Sequence, residues 1–241
     1  VRVDKPIELV FSHYQVSPFA FPRVLAVVED GAEVTVVESH LFEERKASND
    51  ARKLSSIAFS RLVSGRDSRV RWFYDQELSP DTAHFSRHRA DLAAGAFLEH
   101  GSVLVGSAVH KSEVEVRLDG AGARSELRAV LFGSKGQIFD PRTVQWHRAP
   151  STSSNLLFRT ALKDRARSIY TGLIRIEPEA KGSDAFQQND NLLLSNDARA
   201  DSTPVLEILT DEVRCKHGAT VGPVDPEALF YLSTRGFEPE E

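Results

Sequence analysis

Among its 241 residues the sequence contains no methionine, one cysteine, and no run of about 18 apolar residues of the kind a membrane-spanning helix needs. The lone cysteine excludes an internal disulfide, which agrees with a reducing compartment. The start, "VRVDKPIELV", lacks the basic segment, apolar stretch and small-residue cleavage site of an export signal. The chain therefore reads as soluble, cytoplasmic and without a membrane partner. Because position 1 is valine, it also reads as a fragment or processed core. Positive charge is not in excess either: 30 Lys and Arg face 35 Asp and Glu, for a net charge of -5. A general phosphate-binding surface would need a concentrated basic excess, so nucleic acid is not an expected partner.

What is present is short apolar alternation. Val114, Val116 and Leu118 fall on one face of a strand, with Glu113, Glu115, Arg117 and Asp119 on the other. Similar segments recur at "RVLAVVED", "AEVTVVES", "SVLVGSAV", "SELRAVLFG", "RTVQWHR", "IYTGLIRIE" and "PVLEIL", separated by Gly, Asp, Asn, Ser or Pro. Seven of the 14 glycines lie between Gly95 and Gly136, spaced as corners of a repeating structure. An antiparallel sandwich or barrel and a parallel β-helix both fit. The scarcity of two-residue hairpin signals favours winding, although "EDGAE" and "LDGAG" can turn back. The stretch from Phe42 to Gly65 is helix-compatible at first, then apolar. Near the end, Asp225 and Pro226 suit an N-cap and first turn, followed by Leu229, Phe230 and Leu232 as an expected buried stripe that closes the core.

Several residues are candidates for chemistry. On a strand, Cys215 and His217 share a face, their Cα atoms about 6.6 Å apart, so thiol and imidazole can converge on iron, zinc or an iron–sulfur centre. Two ligands do not close a site, and the plainer reading is a packed thiol beside a hydrogen-bonded histidine. In a cysteine hydrolase His217 or a distant histidine could serve as base, but neither a helix-start placement that lowers the thiol pKa nor a third orienting group is present around Cys215. His84 and His88 have the spacing of metal ligands on a helix but lack the adjacent glutamate of the zinc-protease motif, and in a strand they belong to a polar face. His13, His40, His100, His110 and His147 are scattered. Asp184, Gln187, Gln188, Asn189, Asp190 and Asn191 form a polar cluster that serves either acid–base chemistry or, more simply, amide capping at the corners of stacked coils and ladders between successive coils.

Beyond these local readings, the chain resembles the SufB/SufD family of iron–sulfur cluster assembly proteins, and within it the SufD branch. The resemblance rests on "AKGSDAFQQNDNLLLS" (180–195), "STPVLEILTDEVRCKHGATVG" (202–222) and "EALFYLSTRGF" (227–237), with support from "HRAPSTSSNLLFRTALKD" (147–164) and "YTGLIRIEPEAKG" (170–182). It implies an all-β fold: a right-handed parallel β-helix (solenoid) with a short C-terminal helix, residues 1–224 forming the core and 225–241 starting a helical segment. It also implies a non-catalytic scaffold subunit that pairs with a SufB-like subunit and a SufC-like ATPase, or self-associates as a homodimer when isolated. The cargo implied is iron or a transient iron–sulfur cluster at the partner interface; whether flavin in such complexes touches this subunit does not follow from the resemblance. His217 occupies the position of the family's interfacial histidine and Cys215 that of the neighbouring motif cysteine. Glycine after His217 matches the SufD branch, whereas Lys181 stands where the family commonly has glutamine. The rival readings are a β-helix carbohydrate-processing enzyme using Asp184, Asp190 or Asp197, and a self-associating structural solenoid.

Overall fold

The computed structural model describes residues 2–13, 18–42 and 54–237. Its strands run in order β1 (Ile7–His13), β2 (Phe19–Ala20), β3 (Arg23–Val28), β4 (Glu33–Phe42), β5 (Ser55–Ser64), β6 (Arg69–Glu77), β7 (Ala83–Leu92) and β8 (Phe97–Leu104). They continue as β9 (Val109–Leu118), β10 (Arg124–Gly133), β11 (Ile138–His147), β12 (Ser153–Leu162), β13 (Arg167–Ile176), β14 (Asp184–Leu193), β15 (Arg199–Ile208) and β16 (Arg214–Pro223), before one helix, α1 (Pro226–Thr234). From β4 onward the strands alternate between two sheets. One sheet has the order β1-β4-β6-β8-β10-β12-β14-β16; in the other β15-β13-β11-β9-β7-β5 is continued by β2 and β3, both on β5.

Every pairing is parallel, which excludes a hairpin-built sandwich. Ser55 pairs with Ala83, Ala83 with Val109 and Val109 with Ile138, so each coil takes roughly 30 residues, within the range of solenoid repeats. The chain is thus a parallel β-solenoid of about seven turns.

Corners are held by a repeated device. Gly31, Asp67, Gly95, Gly122, Ser151 and Gly182 all adopt left-handed backbone. Each donates its N–H to a carbonyl of the following coil: Arg66, Ala94, Ala121, Pro150, Lys181 and Glu212, at 2.7–3.1 Å. The left-handed turn aims the donor along the stack, so a backbone group that leaves the sheet is still satisfied. Glycine suits it because no Cβ opposes the conformation, yet Asp67 and Ser151 fill two corners without glycine.

Strand parity places side chains inside or outside the coil, and the inside is not uniformly apolar. In β7, His84, His88, Ala90 and Leu92 are buried while Phe85 is 40 % exposed. The polar face expected for His84 and His88 is therefore the interior face, because the phase of the winding rather than the hydropathy of single residues decides which side is covered. The first coils enclose Val70, Trp72, Tyr74 and the histidines; later ones enclose Phe139, Leu156, Phe158 and Tyr170. A second cluster, Ile174, Ile176, Ala180 and Ala185, lies beneath the last coil, with Val213 and Cys215 packed against it.

Two further expectations are corrected. The helix after Asp225 forms as capped, the Asp225 carboxylate accepting from the Glu227 N–H at 2.9 Å, with Pro226 in the first turn. It buries no residue, however: Leu229 is 47 % and Phe230 73 % exposed. The apolar stripe is real, but the described chain offers it no surface to cover. The amide cluster lies in the body of β14, not at corners, with Gln187, Asn189 and Asn191 pointing inward and buried, although it does link successive coils as expected. The helix-compatible start of the Phe42–Gly65 segment falls mostly on residues 43–53, outside the described residues; its continuation is β5.

Candidate functional site

The last coil brings Cys215 and His217 to the open end of the stack. Both lie on β16, where Cys215 pairs with Ala185 and His217 with Gln187 of β14. Ala185 and Gln187 are inward residues, each 1 % exposed, so Cys215 and His217 continue the inward columns by one further step. Because β16 pairs only with β14 among the described residues, nothing covers that step. His217 is consequently exposed and makes no hydrogen bond among the described residues, while Cys215 is half-buried. The edge of β16 also leaves backbone donors and acceptors unpaired, the feature by which a sheet accepts another chain.

The thiol is not primed for attack. Burial pushes its pKa above the ordinary cysteine value, and the Asp184 carboxylate on the neighbouring strand adds to the effect. A neutral thiol is a weak nucleophile, which removes support from a cysteine hydrolase. As a metal ligand it must lose its proton to the incoming cation. Asp184 is itself tied to Arg214 at 3.0 Å.

Behind this rung the amides knit the last coils together. Asn191 Nδ2 donates to Asn189 Oδ1 at 2.7 Å and to the Thr220 carbonyl at 3.0 Å. Asp190 accepts from Gln188 Nε2 at 2.7 Å and from Thr220 Oγ1 at 2.8 Å. Asp184 and Asp190 stand six residues apart on one strand, about 20 Å, whereas paired glycosidase carboxylates sit about 5–9.5 Å apart. The geometry does not support that pair as acid and base.

The histidines that looked scattered converge in the interior. His13, His40, His84, His88, His100, His110 and His147 are all buried, and all but His147 occupy the N-terminal coils. Glu38, fully buried, accepts from His40 Nε2 at 3.0 Å, Ser60 Oγ at 2.8 Å and Trp72 Nε1 at 3.1 Å. His13 Nε2 meets His40 Nδ1 at 3.2 Å, Tyr74 OH meets His84 Nε2 at 2.7 Å, and the rings of His84 and His110 lie 4.8 Å apart, tilted by 42°. Burial drives His13 to about 4 and His100 and His110 to about 3, and lowers His84 and His88 as well. Burial opposes the Glu38 charge as well, but hydrogen bonds from His40 and Ser60 outweigh it and hold that carboxyl below its usual range. Among the described residues no group of three or more His, Cys, Asp or Glu is arranged to hold a metal ion. The interior cluster is thus a polar core, while Cys215 and His217 form an incomplete donor pair at an edge. Shared strand parity was the one sequence signal that could have grouped the interior rings.

A parallel β-solenoid whose last described rung carries a half-buried thiol and an exposed imidazole defines the class of protein. Residues 11–241 match the model of the SUF system FeS cluster assembly, SufBD core domain. The chain belongs to the SufBD family. It is 38 % identical over 241 residues to an iron–sulfur cluster assembly SufBD family protein of Mycobacterium leprae, covering 97 % of this chain and 56 % of that protein. It is 31 % identical over 214 residues to the iron–sulfur cluster assembly protein SufD of Escherichia coli, covering 88 % of this chain and 49 % of that protein. A SufBD family protein of Staphylococcus epidermidis is 28 % identical over 241 residues, covering 100 % of this chain and 51 % of that protein. The chain therefore spans about half the length of the curated relatives it matches. Among the described residues no helix is long and apolar enough to cross a membrane.

Proposed function

We propose that this chain is the SufD-like scaffold subunit of a cytoplasmic iron–sulfur cluster assembly complex and that it contributes His217 to a site completed by a second, thiol-bearing SufB-like chain. The observation that carries the reading is the position of His217: inward-facing by parity, yet exposed on the last rung among the described residues. A partner docked on the β16 edge adds the next rung and closes ligands over the imidazole. Iron or a nascent cluster is the cargo held at that seam. Cys215, with its raised pKa, is a secondary ligand that engages once the cation displaces its proton. Imidazole suits temporary ligation, since it replaces a thiolate by a neutral, harder donor. The exposed apolar side chains of α1, Leu229, Phe230 and Tyr231, supply a surface for a SufC-like ATPase. Isolated, the same β16 edge supports homodimer formation.

The test is anaerobic reconstitution with SufB-like and SufC-like proteins, following cluster absorption. His217→Ala slows assembly by about tenfold or more, on the scale of losing one supporting ligand. Unchanged assembly by His217→Ala overturns the proposal.

A further inference from the structure

We infer that Gln187 is the positioning residue for His217, its side-chain carbonyl accepting one ring N–H so that the other nitrogen is presented outward as a ligand. The inference rests on the proposed role of His217. Gln187 is 1 % exposed and inward-facing, and its Oε1 has no hydrogen-bond partner. A buried amide oxygen left unpaired costs stability, so its retention calls for a partner. The two residues beside it on neighbouring strands of the sheet are Leu156 on β12 and His217 on β16. Leucine has nothing to donate; the imidazole does, while the Tyr170 hydroxyl across the coil already shares a hydrogen bond with Thr143 Oγ1 at 2.7 Å. Of the inward side chains of β16, Ala219 lacks a donor and Cys215 offers only a weak S–H.

The amide is also oriented for this task. Gln187 Nε2 donates to the Gly172 carbonyl at 3.4 Å, which assigns the free lone pairs to Oε1. Gly172 makes the space: a Cβ there would lie 2.4 Å from Gln187 Nε2, 2.5 Å from Oε1 and 2.4 Å from the Tyr170 hydroxyl. Adjacent strands are about 4.8 Å apart, so the two side chains stand one strand spacing apart on the same inward column. With one nitrogen so engaged, the tautomer is set and the second nitrogen keeps its lone pair for a metal, the arrangement by which an outer hydrogen bond tunes a histidine ligand.

The test reads the tautomer of His217 in the chain alone, by long-range 1H–15N correlation on histidine-labelled protein, with His217→Asn identifying the resonance. Wild type shows one dominant tautomer. Gln187→Met, similar in volume but without an acceptor, shifts the tautomer ratio about fivefold toward the mixture of free imidazole, the worth of one hydrogen bond. Gln187→Glu, which keeps an acceptor, restores the bias. Should Gln187→Met not fold, Gln187→Asn withdraws the oxygen by one methylene and shifts the ratio in the same direction. An unchanged ratio in the folded Met or Asn variant overturns the inference. This readout needs neither partner nor cluster, so it fails independently of the His217→Ala assembly experiment.

Discussion

Lowering the pH should unfold this protein well before ordinary carboxylate titration begins. His100 and His110 are held to about 3 and His147 to about 4, in each case chiefly by burial. An unfolded chain restores each to about 6.5. Because the folded values are depressed, the native state stays neutral while the unfolded state takes up protons, so stability is full above about pH 6.5 and falls as pH drops toward the folded values. At pH 5 each ring has given up about 2 kcal/mol, and the three together about 6 kcal/mol, against a total of about 5–15 kcal/mol for a typical domain. Glu38, whose folded value is also depressed, acts in the same direction in a lower window: its contribution is intact at pH 5 and is lost as pH falls from the usual carboxylate value toward the folded one. Urea titrations followed by circular dichroism at pH 7.5, 6.0 and 5.0 measure the slope. His110→Phe should flatten it by about one proton, or 1.4 kcal/mol per pH unit. Equal stability at pH 7.5 and 5.0, or a slope untouched by His110→Phe, would refute the reasoning.

Glu38→Ala strips His40, Ser60 and Trp72 of their shared acceptor and should cost about 3–5 kcal/mol in urea unfolding at pH 7.5, as expected when one member of a buried charged network is removed. Alkylation of Cys215 by iodoacetamide should follow a pH–rate profile whose midpoint lies above that of a free thiol, and Asp184→Asn should move it down; a midpoint below the free-thiol value contradicts the placement of the side chain. Phe230→Ser should change chain stability by less than about 0.5 kcal/mol in thermal melts, since α1 buries nothing; a larger loss would mean the helix packs on the solenoid.

The strands were legible because a period of two survives in nearly every segment, and the Asp225–Pro226 start of α1 because capping is local chemistry. Winding rather than folding back was not decided by periodicity, since both architectures alternate; the family resemblance decided it. The interior was misread for one reason. In β7 and β14 the larger apolar residues Phe85 and Phe186 face out while His84, His88, Gln187 and Asn189 face in, so the rule that apolar side chains point inward inverts the two faces. Stacking explains the inversion: like side chains in successive coils pair with one another inside, and polar groups satisfied by such neighbours can be enclosed. His217 and Cys215 were found by their motif, whereas Gln187 becomes visible only once the register sets it beside His217.

At the six left-handed corners described above the hydrogen bond runs forward: Ser151 hands its amide hydrogen to Lys181, and Gly182 hands its own to Glu212. Damage at such a bend is felt on two storeys: proline at position 151 would break the bend itself, since its ring fixes φ at about −65° where Ser151 stands at 58°, and would strand the Lys181 oxygen one storey later. The last of these clasps, from Gly182 to Glu212, ties down the segment that leads into β16, so the seat of the imidazole depends on it.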